Sequence, residues 1–155
     1  MMTAAFKGAA AGLAATVPMT IVMEGLHQVV PGEPDTPLPP REVMEGLAEK
    51  AGIAHDMDEQ AMETATLGVH AGYGALCGAV FGLIAPKQPA AAIAAGALFG
   101  LGVWAGSYLG WLPALNVRHD ARQDPPARSA LMIAAHAVWG AAAGYELSSG
   151  REQHA

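Results

Sequence analysis

A chain of 155 residues with a net charge of -6 is long enough for a single domain. It is 52% hydrophobic and only 14% charged, with a mean hydropathy of +0.27, which argues against an ordinary soluble fold. The acidic balance argues against nucleic acid as a partner, and the single cysteine, Cys77, excludes an intrachain disulfide.

The charges are clustered. No Asp, Glu, Lys or Arg occurs between Lys7 and Glu24, Glu63 and Lys87, Lys87 and Arg118, or Arg128 and Glu146, gaps of 16, 23, 30 and 17 residues. A helix that crosses hydrocarbon needs about 20 mostly apolar residues. The chain therefore reads as an all-α integral membrane protein, one domain over residues 1–155. Four transmembrane helices are expected at about 6–29, 62–86, 90–112 and 128–147. The lipid bilayer is its first partner. A soluble Ala-rich bundle would show polar residues at helical period along each segment, and these segments lack them.

In chain order, the first helix opens after Lys7 and holds Pro18, which is expected to kink it. No small-x-small cleavage site follows, so this helix reads as retained rather than as a signal peptide. The loop over 30–61 begins with PGEPDTPLPP, a stiff extended connector. Arg41 to Lys50 then reads as a short amphipathic helix, with Pro40 at its start and Gly52 at its end. Its Val43, Met44 and Leu47 share a face suited to the membrane surface. Asp56, followed by Glu59, reads as the cap of the helix entering the second span. Asp124-Pro125-Pro126 suits the start of the last helix.

The chain reads as two repeated hairpins. His70-Ala-Gly-Tyr-Gly-Ala-Leu-Cys-Gly78 matches His136-Ala-Val-Trp-Gly-Ala-Ala-Ala-Gly144, and Gly8-Ala-Ala-Ala-Gly12-Leu13 matches Gly96-Ala-Leu-Phe-Gly100-Leu101. The first and third helices would run one way, the second and fourth the other. Glycines recur four apart at Gly8, Gly12, Gly74, Gly78, Gly82, Gly96, Gly100, Gly140 and Gly144, with a further series at Gly102, Gly106 and Gly110. In lipid no hydrophobic effect draws helices together, and glycine permits the close backbone approach that does. A tight bundle with little interior volume is expected.

Polar residues of the spans converge below one membrane face: Glu24, His27, His70 and His136. An intramembrane ionisable group is a functional candidate by default. Three chemistries suit these four. They could handle protons, since histidine titrates near neutral pH. His27, His70 and His136, with Glu24, could ligate a transition metal. His70 and His136 could hold haem b from two sides. The fourth reading is structural: each histidine hydrogen-bonds across helices through Tyr73, Ser107 or a backbone carbonyl. No cofactor is expected in the leading reading, with haem or a transition metal as the alternative. No nucleophile with a base, phosphate loop or Cys-x-x-Cys occurs, so no catalytic residue and no enzyme is expected.

Three stretches, PLPPR at Pro37–Arg41, AGALFGL at Ala95–Leu101 and HAVW at His136–Trp139, resemble the YagU-like family of uncharacterised bacterial inner-membrane proteins. The resemblance implies a multi-pass inner-membrane protein associated with acid tolerance, acting as a stress or accessory factor. It carries over Pro39, Pro40, Arg41, His136 and Trp139 as pattern positions only. Counting Lys and Arg would put the two large loops in the cytoplasm. Lys7 beside the first helix, and the resemblance, put the termini there instead, which is the orientation expected. Among non-enzymes a small permease is the other candidate, and the glycine ridges leave room for a homo-oligomer or a membrane-protein partner.

Overall fold

The computed structural model describes residues 2–30 and 36–152. Its elements are α1 (Met2–Val29), α2 (Pro39–Ala51), α3 (Glu59–Ile84), α4 (Pro89–Gly106), a π-helical turn at Ser107–Trp111, α5 (Leu112–Ala114) and α6 (Pro126–Glu152). Among the described residues there is no strand. Residues 31–35 of the expected extended connector lie outside the described residues.

Among the described residues, three helices are long and apolar enough to cross a membrane: Thr3–Val29, Glu59–Ile84 and Pro89–Ala114. The fourth expected span corresponds to α6, which has 27 residues but is not among them by composition. Its place in the bundle accounts for its polarity. α6 is one of two inner helices, lying between α1 and α4, and it buries Arg128, His136 and Ser148 beside Leu131, Trp139 and Leu147. The outward faces of the other long helices show the reverse. Phe6 is 77% exposed, Ile84 66% and Leu98 70%. An outward-facing apolar shell around a core of alanine, glycine and a few polar groups is what lipid selects, and water penalises it.

The packing order is α3–α1–α6–α4, with α3 and α4 scarcely touching. Two close crossings set it. In α1 against α3, a Cβ on Gly12 would stand 2.7 Å from the Gly78 Cα, and one on Gly82 would stand 2.8 Å from the Gly8 Cα. In α4 against α6, a Cβ on Gly140 would stand 2.6 Å from the Gly96 carbonyl carbon, and Gly100 faces the His136 carbonyl. Residue numbers rise along one partner as they fall along the other, so both pairs are antiparallel. Trp139 joins the pairs by donating its indole N–H to the Gly12 carbonyl at 3.0 Å. Phe81, Phe99 and Trp139 follow one another as tilted ring pairs, with centroids 5.2 and 6.3 Å apart.

Three local expectations are corrected. The second span starts at Glu59, and its cap is Asp58 rather than Asp56: the Asp58 carboxylate accepts from the Ala61 N–H at 2.8 Å. Asp56 instead lies in the 3-10 turn Ala54–Asp56. The amphipathic helix forms over Pro39–Ala51 and ends at Gly52 in the left-handed conformation, φ 72°. Its apolar face, however, packs on the bundle. Met44 and Ala48 meet Met62 of α3, and Gly46 lies directly against the Val117 carbonyl. Burial against protein satisfies that face, so α2 closes the loop end of the bundle like a lid. The third correction concerns volume. The glycine crossings are tight, but they occupy only part of the bundle's length, and a cavity lies between them and α2.

Candidate functional site

The cavity measures about 100 Å³ and lies among α1, α3, the π-helical turn and α6, beneath α2. Trp139 and Thr16 line it, as do Val43 and Leu47 of α2. Its polar groups include His70, Tyr73, Ser107, Tyr108, Trp111 and His136; no Asp, Glu, Lys or Arg lines it. Three of these come from the π-helical turn, in which the Leu112 N–H reaches back to the Ser107 carbonyl. Pro113 follows and has no N–H to continue the ordinary ladder. Such widened turns recur at functional sites because they re-aim side chains. Here the turn presents Ser107, Tyr108 and Trp111 to one space.

The hydrogen bonds inside the cavity are incomplete. Tyr73 and Ser107 share one at 2.9 Å across the α3–α4 seam, and the Trp111 N–H points at both oxygens from 3.4 and 3.3 Å. His136 bonds within its own helix, Nδ1 lying 2.8 Å from the Met132 carbonyl. A carbonyl only accepts, so Nδ1 carries the proton and Nε2 of the neutral ring keeps its lone pair. The Tyr108 ring meets the His136 ring edge-on at 5.8 Å. The Nε2 of His70 is buried with no hydrogen-bond partner. Tyr73 and Ser107 thus form the interhelical bond that the structural reading assigned to the histidines.

A second space of about 400 Å³ opens among α1, α2 and α3, lined by Thr20, Glu24, Arg41, Glu63, Thr66 and His70. His70 borders both spaces, with charged groups on one side and neutral ones on the other. Of the expected cluster, Glu24 and His70 therefore share the outer space, and His70 and His136 share the inner one. Glu24 is exposed, and His27 lines neither space. Among the described residues, no three His, Cys, Asp or Glu side chains are grouped to hold a metal ion. The three-ligand set of His27, His70 and His136 is therefore not assembled.

Over the inner cavity stands a network built from residues far apart in the chain. Glu42 of α2 accepts from the Arg118 Nε at 2.7 Å and from Arg128 at 2.9 Å. Arg118 also reaches Asp124 at 2.8 Å, and Arg128 holds the Thr36 hydroxyl and the Pro37 carbonyl. The Arg118 guanidinium lies over the Tyr108 ring, 5.3 Å from its centre, so the network touches a cavity wall. On the outer side, Arg41 binds both carboxylate oxygens of Glu59 at 2.7 and 2.8 Å and Glu45 at 2.6 Å. These pairs lock α2 down at both edges. In the sequence Arg118 and Arg128 stand out only as charges of the loop side, and Arg41 as the start of the short helix and a position of the PLPPR pattern. Glu42 one turn from a helix start was the available signal, but its partners lie 76 and 86 residues away.

Burial favours the neutral form of Asp124, yet the hydrogen bonds from Arg118 and His119 outweigh it and hold this carboxyl below its ordinary value of 3.8. A carboxyl lowered in the folded state contributes stability above its unfolded value, and that contribution disappears as pH falls through the folded one. Acid unfolding below about pH 4 should therefore be steeper in the wild type than in Asp124→Asn. Denaturant midpoints measured from pH 6 to pH 2.5 check this; parallel curves for the two proteins would contradict it.

A family model described as "Protein of unknown function (DUF1440)" matches residues 17–145. That stretch contains all four polar-cluster residues, α2 and the whole arginine network. No curated protein and no solved structure matches the chain.

Proposed function

The chain belongs to this DUF1440 family, and from that premise we propose that it is a multi-pass inner-membrane protein responding to protons through His70 and His136. It acts as a stress or accessory factor in acid rather than as an enzyme. The observation that carries the reading is the position of His70, which borders a charged outer space and a neutral inner one. The groups facing it there are Glu24 from α1, Arg41 from α2, Glu63 and Tyr73 from its own helix, Tyr108 from the π-helical turn and His136 from α6. A proton arriving from the outer space meets His70 before His136.

In this reading α6 is the fourth span. Its 27 residues reach about 40 Å at 1.5 Å per residue, enough for the hydrocarbon; it lies between α1 and α4, and its Arg128 is paired with Glu42 of α2. The two antiparallel pairs are then one hairpin repeated. The termini face the cytoplasm, and the YagU-like resemblance supports both that orientation and the acid-tolerance role. Haem or a metal at His70 and His136 is the competing reading; a visible absorption spectrum and metal analysis of purified protein separate the two.

Replacing His70 or His136 with glutamine keeps a hydrogen-bonding group but removes the titration. In lipid nanodiscs, the fluorescence of the wild type should change between neutral and acid pH, because Trp111 and Trp139 line the cavity. Both variants should fold, lose that change and lose acid survival in cells. Unaltered titration and survival in both folded variants would refute the proton reading.

A further inference from the structure

The inner cavity has the composition of a ligand site. Its wall is mostly apolar, it contains no charged side chain, and its polar atoms converge from α3, the π-helical turn and α6. A charged ligand would be buried there without a counter-ion, which is costly. A purely apolar one would leave the buried His70 Nε2 as it stands, without a partner. A hydroxyl group can either donate or accept, so it satisfies that nitrogen in either tautomer. It can also donate to the His136 Nε2 lone pair, which the bond from Nδ1 to Met132 leaves in place.

Size narrows the choice further. An apolar cavity of about 150 Å³ takes up benzene. The space here is smaller, about 100 Å³, but it is open on one side rather than enclosed, so it suits one small ring or a short branched chain whose far end stays in the opening, and excludes a sugar or a nucleotide. The route in is the α3–α4 seam, the loosest wall of the bundle. Val69 and Tyr73 border it on α3 and are 42% and 36% exposed. In a bilayer that seam faces lipid, where small neutral hydroxyl compounds concentrate.

We propose that the cavity between His70, His136 and the Tyr73–Ser107 pair binds a small neutral molecule with an apolar body and one hydroxyl group, of about the size of phenol. The inference takes only the bilayer setting from the proposed function. It asks nothing of histidine titration, so either can fail alone.

The test uses the full-length protein in lipid nanodiscs and follows fluorine NMR of two probes, 4-fluorophenol and fluorobenzene, with empty nanodiscs as the reference for partitioning. The wild type should bind 4-fluorophenol saturably and about tenfold more tightly than fluorobenzene, the contrast one well-placed hydrogen bond supplies. His70→Leu should abolish that preference, and His70→Gln, which still hydrogen-bonds, should retain it. Val103→Trp fills the space and should remove binding of both probes, with unfolding midpoints confirming that each variant is folded. Equal affinity for the two probes in the wild type would show a merely apolar void and overturn the proposal. So would a 4-fluorophenol signal no greater than that of empty nanodiscs, which would mean partitioning into lipid only.

Discussion

Gly78→Ala should destabilise the protein severely, while Gly72→Ala, the same change on the same helix, should leave it unaltered or slightly more stable. A Cβ on Gly78 would lie 2.6 Å from the Gly12 Cα and against the Gly8 carbonyl, so two helix backbones would have to separate. A Cβ on Gly72 meets nothing within 4 Å. Overpacking of this kind costs about 1–3 kcal/mol where side chains can shift, and backbone yields less readily. Gly140→Ala should behave like Gly78→Ala, because its Cβ would stand 2.6 Å from the Gly96 carbonyl carbon. The opposite control is Gly102→Ala on α4, where the space is open. Thermal unfolding in detergent ranks the four. Similar losses for Gly72→Ala and Gly78→Ala would mean that glycine acts through helix flexibility rather than through close approach.

Glu42→Ala should cost about 3–5 kcal/mol, the range for removing one partner of a buried ion pair. The side chains of Arg118 and Arg128 are only 2% and 5% exposed, and both lose the carboxylate between them. Glu45→Ala in the same helix should cost at most about 1 kcal/mol, because Glu45 is 40% exposed and serves only one edge of Arg41. The network also holds α2 over the cavity, so Glu42→Ala should make α2 more susceptible to proteolysis before the bundle unfolds. Denaturant titration and timed digestion measure the two effects. Equal losses in Glu42→Ala and Glu45→Ala would show that the Glu42 network contributes no more than a surface pair.

Spans and cavity differ in how they can be recognised. Whether a segment can cross a membrane depends on the sum of its own residues' transfer free energies. Charge-free gaps therefore located α1, α3 and α4 without any knowledge of their neighbours. The gap between Arg128 and Glu146 pointed to α6 in the same way, but α6 is not among the helices apolar enough to cross. Its buried polar groups find their surroundings only in the packed bundle, Arg128 against Glu42 of α2 and His136 beside Tyr108. The glycine spacing announced close approach, but not which helix meets which.

Of the candidate residues, the histidines of the apolar segments stood out in sequence because they interrupt an apolar background. Their surroundings did not. The bond from His136 to its own helix, the unpartnered nitrogen of His70 and the π-helical turn that gathers Ser107, Tyr108 and Trp111 all depend on side-chain geometry. Glu42, Arg118, Arg128 and Asp124 looked like ordinary loop charges until folding placed them together. Composition and local period thus determined that this is an all-helical protein suited to a membrane, with a short amphipathic helix in its first long loop. Tertiary structure alone decided that this helix is a lid, that α6 lies inside between α1 and α4, and that a neutral cavity lies beneath. The physical reason is range: helix formation and membrane transfer act on neighbouring residues, whereas ion pairing and cavity shape depend on groups brought together from opposite ends of the chain.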